Sequence, residues 1–241
     1  MTPEQTRAWK QLAVSYLSTN ALVFLLSRPG AMQYGLHDLI GALFLLAGLA
    51  SIRADDYDTR RYGVRLGGIF PGAEGDDRSL VRAIWESLPH AARELAVAAL
   101  IAAVVLPVYA YFWPLFNHPP ASRHFSLDAH RWREIFTHLL AVALTEELYF
   151  RGYVQTRVAD GLGISHDPAK RRQLRTMALP IVITSALFAL THVTVEVTLA
   201  RAAVFFPGLL FGAVRVRRGG IGAAVFLHAI SNLFEQWLEG R

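Results

Sequence analysis

The chain has 241 residues, 53% of them hydrophobic and 18% charged, with mean hydropathy +0.31; a soluble domain of this length would carry about a quarter charged residues. It contains no cysteine, which excludes disulfides, thiolate nucleophiles and cysteine-ligated zinc. The formal charge of +5 would suit a nucleic-acid binder, but the basic residues alternate between loops and form no single face. Membrane lipids are therefore the expected partner and nucleic acid is not.

Seven apolar segments follow in order, at 11–27, 35–52, 95–113, 134–153, 177–193, 198–214 and 221–238. Each is near the length that crosses about 30 Å of hydrocarbon. The first is the weakest, carrying Ser15, Ser18, Thr19 and Asn20. Open strand edges cannot face lipid, so the segments must be helices. The expected fold is all-α: a polytopic membrane helical bundle of seven to eight transmembrane helices. It forms one domain over 1–241, with the functional helices at 134–238. Residues 53–93 read as a cytoplasmic loop with a short amphipathic helix near 80–88. In that loop Asp55–Asp58 reads as a solvated acidic run, followed by Glu74, Asp76 and Asp77. An eighth segment hidden there would flip the later half. Of the 24 Lys and Arg residues, 18 fall in the N-terminus and in 53–93, 151–175 and 215–218. The positive-inside rule puts those stretches in the cytoplasm. Met1–Lys10 lacks the pattern of a cleaved signal, so no targeting peptide is expected. Pro207-Gly208 suggests a kink or a close helix contact.

The stretch Glu146-Glu147-Leu148-Tyr149-Phe150-Arg151 ends an apolar run. Ionisable groups at membrane depth are costly and usually functional. On a helix Glu147 and Arg151 are i,i+4 neighbours and can pair. Glu146 points about 100° away and is free for another partner. Segment five carries Phe188 and His192, and segment seven carries His228 and Asn232, each pair at i,i+4. Lipid would penalise these polar groups, so they are expected to face the bundle interior. With 1.5 Å rise per residue, Glu146 lies roughly 13 Å and His228 roughly 10 Å from the cytoplasmic helix ends, but His192 roughly 18 Å. His192 therefore joins them only if segment five tilts or begins later. A carboxylate beside an imidazole can activate water, and His228 and Asn232 can donate to an oxyanion. Those are the parts for amide hydrolysis. The plainer readings are a structural Glu147–Arg151 pair and Phe188 as ordinary core. Ser231, Thr191 and Glu235 read as bystanders. His90, His118, His124 and His130 read as loop or segment-end residues without a specific role.

Glu-Glu-x-x-x-Arg, Phe-x-x-x-His and His-x-x-x-Asn, in this order on three apolar segments, resemble the CPBP family. That family comprises the CAAX prenyl endopeptidases and bacteriocin-processing or immunity proteins. The likeness covers about 134–237, and every motif position is filled. It implies a glutamate-dependent intramembrane endopeptidase without metal or cofactor. In that scheme Glu146 and His192 activate water, and His228 and Asn232 form the oxyanion hole. Glu147 and Arg151 position the site, and Phe188 lines the cavity. The resemblance also implies a protein or peptide substrate with a C-terminal processing signal. The brevity of the chain points to a bacterial inner membrane, and the distribution of its positive charges to a cytoplasmic N-terminus. The substrate stays open between a lipidated CAAX-like tail, a bacteriocin-type peptide and a C-terminal anchor of the kind that myxosortase-like relatives process. Two other readings stay open. Glu146, His192 and His228 could ligate zinc, although no His-Glu-x-x-His is present. The chain could also be a non-enzymatic immunity or binding protein, or a small transporter, although no inverted repeat is visible.

Overall fold

The computed structural model describes residues 1–55, 58–66, 79–115 and 129–240, and the regular structure among them is all helical. The long helices are α1 (Pro3–Leu26), α2 (Leu39–Arg53), α3 (Leu80–Phe112), α4 (129–161), α5 (Leu174–Val195), α6 (Phe205–Arg218) and α7 (Gly222–Leu238). They fall where the seven apolar segments were expected. Among the described residues, three helical stretches are long and apolar enough to cross a membrane: Val81–Leu115, Leu174–Val195 and Leu199–Arg218. Only 11% of the apolar window of the first is buried, and Leu100, Val104 and Val108 face outward. A continuous apolar surface of that kind belongs in lipid. The chain is an integral membrane protein.

The expected separate helix near 80–88 is instead the start of α3. The Ser79 side chain accepts a hydrogen bond from the Arg82 N–H and caps a helix of 33 residues, about 50 Å long. Residues 56–57 and 67–78, with Asp56, Glu74, Asp76 and Asp77, lie outside the described residues, as do His118, His124 and the His130 side chain.

Asp55 does not belong to a solvated run. It is 6% exposed and accepts from Arg157 Nη2 at 3.0 Å, Arg61 Nη1 at 3.2 Å and Tyr62 Oη at 2.5 Å. The cause is the length of α4, which continues to Gly161 and carries Arg157 and Asp160 beneath the loop 58–66. Asp160 in turn accepts from Arg61 at 2.6 Å, Arg157 at 3.1 Å and Arg171 at 2.5 Å. Burial alone would raise both carboxyls. The tyrosine and arginine donors outweigh it and hold Asp55 and Asp160 below the usual carboxylate range.

α4 is the central pillar, and every residue from Glu147 to Gly161 is buried. Leu148, Tyr149, Phe150, Tyr153 and Val158 pack with Leu12, Tyr16 and Val23 of α1, Phe44 and Ile52 of α2, Phe188 of α5 and Val225 of α7. Because protein encloses α4, its charged groups meet donors and acceptors rather than lipid. Its winding is also unusual. Thr137–Ala143 and Leu148–Val154 are π-helical, closed by i→i+5 bonds such as Leu144 N–H to Leu139 O and Gln155 N–H to Phe150 O. These two stretches bracket the α-helical turn Leu144–Glu147. Inserted π turns are rare and frequently mark functional sites.

Candidate active site

The buried arginine of α4 ties three helices together. Arg151 Nη1 donates to Glu147 Oε1 at 2.9 Å, with both side chains fully buried. Arg151 Nη2 donates to the Gly208 carbonyl of α6 at 3.3 Å. The guanidinium carbon lies 4.2 Å from the centroid of the Phe188 ring of α5, a cation–π contact that is strongest when desolvated. One turn on, Gln155 Nε2 donates to Gly212 O at 3.4 Å. The glycines make this approach possible. A Cβ on Gly208 would meet Ser185 Cβ at 3.2 Å and Arg151 Nη2 at 3.3 Å. Pro207-Gly208 thus marks a close helix contact.

The second partner of Glu147 is His228 of α7, whose Nδ1 lies 2.9 Å from the same Oε1. An ionised carboxylate only accepts, so Nδ1 donates and Nε2 turns the other way. It turns toward Glu146, whose Oε2 lies 4.0 Å from His228 Nε2 and 3.9 Å from His192 Nε2. His192 Nδ1 donates to the Phe188 carbonyl at 2.9 Å. A carbonyl also only accepts, so the neutral His192 ring presents a bare Nε2 lone pair to Glu146. Glu146 Oε2 is buried without a hydrogen-bond partner. The Glu146 and His192 side chains keep 13% and 21% of their surface exposed, so the group opens to the outside on that flank.

Six predicted residues therefore meet: Glu146, Glu147, Arg151, Phe188, His192 and His228. Glu147 Oε1 is held by an arginine and a histidine, whereas Glu146 Oε2 faces the two imidazoles; the Oε2 atom of each glutamate is buried without a hydrogen-bond partner. Phe188 is 2% exposed and stands edge-on to His192 at 4.4 Å, so it is a wedge between Arg151 and the imidazoles rather than open wall. Asn232 is half-buried on α7, one turn beyond His228 on the same face. His192 reaches Glu146 because both helices run further than their apolar segments. Glu146 is roughly 23 Å from the end of α4 at Gly161, and His192 roughly 27 Å from the start of α5 at Leu174.

One contributor was not foreseen. Phe211 of α6 is buried and stacks on the His228 ring at 4.9 Å with 19° between planes. Its only sequence signal was its place on the α6 face that also holds Gly208, Gly212 and Arg215. Among the described residues, no group of three or more His, Cys, Asp or Glu stands out as a metal-ion cluster.

Residues 129–234 match the family model described as Rce1-like, type II CAAX prenyl endopeptidase. No curated protein and no solved structure matches the chain.

Proposed function

Because residues 129–234 belong to the Rce1-like type II CAAX prenyl endopeptidases of the CPBP family, we propose that this chain is a glutamic intramembrane endopeptidase. Its substrate is a protein or peptide cut near its C-terminus or close to the membrane. The observation that carries the reading is the convergence of two imidazole Nε2 atoms, from α5 and α7, on one unpartnered carboxylate oxygen at 3.9 and 4.0 Å. These spacings are too long for direct hydrogen bonds. They suit one water held about 2.8 Å from each partner, with an apex angle of about 90°.

Glu146 takes a proton from that water while His192 Nε2 accepts its other hydrogen and orients it. The hydroxide adds to the scissile carbonyl carbon. The resulting oxyanion accepts from the Asn232 amide and from His228 Nε2–H. His228 carries that second proton only as an imidazolium, because Nδ1–H is already committed to Glu147. The Glu147 carboxylate stabilises this cation, and Arg151 fixes Glu147. Collapse of the intermediate breaks the C–N bond, and the leaving amine takes the proton from Glu146. Glu147 and Arg151 touch no reacting atom and are positioning residues.

The test compares the C-termini of membrane proteins, by mass spectrometry, in cells with and without the chain. Shortened C-termini that depend on both Glu146 and His192 are expected. Identical C-termini, or processing that persists in Glu146→Ala, would refute the assignment. Loss of processing in chelator with recovery on zinc would instead favour a metallopeptidase. A Glu146→Gln variant that keeps the cellular phenotype would favour a non-enzymatic immunity or binding role.

A further inference from the structure

A second feature lies apart from the site just described. The loop 58–66, the α6–α7 turn and α3 near His90 and Glu94 enclose a cavity of about 440 Å³. It begins at Gly222, six residues before His228, and contains none of the catalytic candidates. Its wall carries Arg60, Arg65, Arg172 and Arg218 but one carboxylate, Glu94. Arg218 is committed to Glu94, with Nε donating at 3.0 Å and Nη2 bonded as well. Arg60, Arg65 and Arg172 have no carboxylate partner among the described residues. Arg65 Nε is buried without a hydrogen bond. Arg172 lies across Gly219, where a Cβ would sit 2.7 Å from Nη2, and donates to Arg218 O at 3.3 Å. Gly219 has φ of +72°, which a side chain would strain. The turn is stitched to the loop by Ile221 N–H donating to Gly63 O at 2.9 Å.

Three guanidiniums without a carboxylate partner among the described residues surround one recess and suit an anion, and their forked donors match phosphate oxygens in pairs. The volume exceeds what a bare oxyanion fills and lies in the range of about 300–1,000 Å³ typical of small-ligand sites. Beyond Glu94, α3 presents an outward apolar face at Leu100, Val104 and Val108, along which acyl chains can lie. We propose that the cavity binds the phosphate of an anionic lipid headgroup.

Native mass spectrometry of the purified full chain in neutral detergent tests this with phosphatidylglycerol, cardiolipin and phosphatidylcholine. Each anionic lipid is expected to bind about tenfold or more tightly than phosphatidylcholine. Arg60→Gln should reduce that preference about fivefold, and adding Arg65→Gln and Arg172→Gln should abolish it. Arg82→Gln, in the exposed Arg82–Glu86 pair outside the cavity, should leave it unchanged. Because the Arg60 side chain is exposed, the single variant keeps the test alive if the triple variant does not fold. Inorganic phosphate supplies the second arm. If it raises the unfolding midpoint of the wild type but not of Arg60→Gln, with no preference among lipids, the phosphate site stands and its ligand is the free anion. No preference for anionic lipid and no phosphate shift in the wild type would overturn the proposal. A lipid preference that Arg60→Gln and the triple variant both retain would overturn it equally.

Discussion

Two adjacent glutamates are expected to weigh very differently on stability. Glu147 is fully buried and ionised between Arg151 Nη1 and His228 Nδ1, each at 2.9 Å. Replacing Arg151 by Met keeps much of the volume but leaves that carboxylate with the imidazole alone. Removing one partner of a buried ion pair costs about 3–5 kcal/mol, because the surviving charge is left uncompensated in a dry site. Removing both is far milder, so Glu147→Gln combined with Arg151→Met should be more stable than Arg151→Met alone. Glu146→Gln should cost roughly 1 kcal/mol or less, since its Oε2 makes no hydrogen bond. Thermal unfolding in mild detergent, followed by circular dichroism, reads all four proteins. An Arg151→Met variant within about 1 kcal/mol of wild type, or a double variant less stable than Arg151→Met, would refute the buried-pair argument.

Two further outcomes follow from packing and from the second charge cluster. Gly208→Ala places a methyl 3.2 Å from Ser185 Cβ and 3.3 Å from Arg151 Nη2. It should cost about 1–3 kcal/mol and reduce cleavage, and Ser185→Gly in the same chain should restore part of both losses. At acid pH the Asp55–Asp160 cluster sets the stability. Both carboxyls titrate lower in the folded chain than when unfolded. Their contribution is therefore complete above the ordinary carboxylate value near 4 and is lost as pH falls through the depressed folded values. Unfolding midpoints measured from pH 7 downward should fall in that range, and Asp55→Asn should flatten the fall.

The site was legible because its members are the residues that an apolar helix least accepts. Glu146, Glu147, Arg151, His192 and His228 stand out against hydrophobic neighbours, and i,i+4 spacing gives the faces they share. Asp55 was misread because its partner Arg157, and Asp160 that shares the same guanidinium, lie about a hundred residues away, where polar composition looks like loop. Those residues remain in α4 because other helices enclose it, which a lipid-based reading of segment ends does not anticipate. The same extension explains why His192 looked too deep. Phe211 carries no charge and reads as ordinary core, so its stacking on His228 is visible only in three dimensions. The π-helical winding around Leu144–Glu147 leaves no mark in residue type.

The decisive measurement is cleavage of a membrane-anchored peptide by the purified chain in vesicles, run in oxygen-18 water, for the wild type and for Glu146→Gln. The wild type should release two fragments, with one solvent oxygen in the new carboxyl group. Glu146→Gln should fold as well and cut about 10²–10⁴-fold more slowly. A Glu146→Gln protein that cuts the same bond at the wild-type rate would show that this carboxylate does not activate the water.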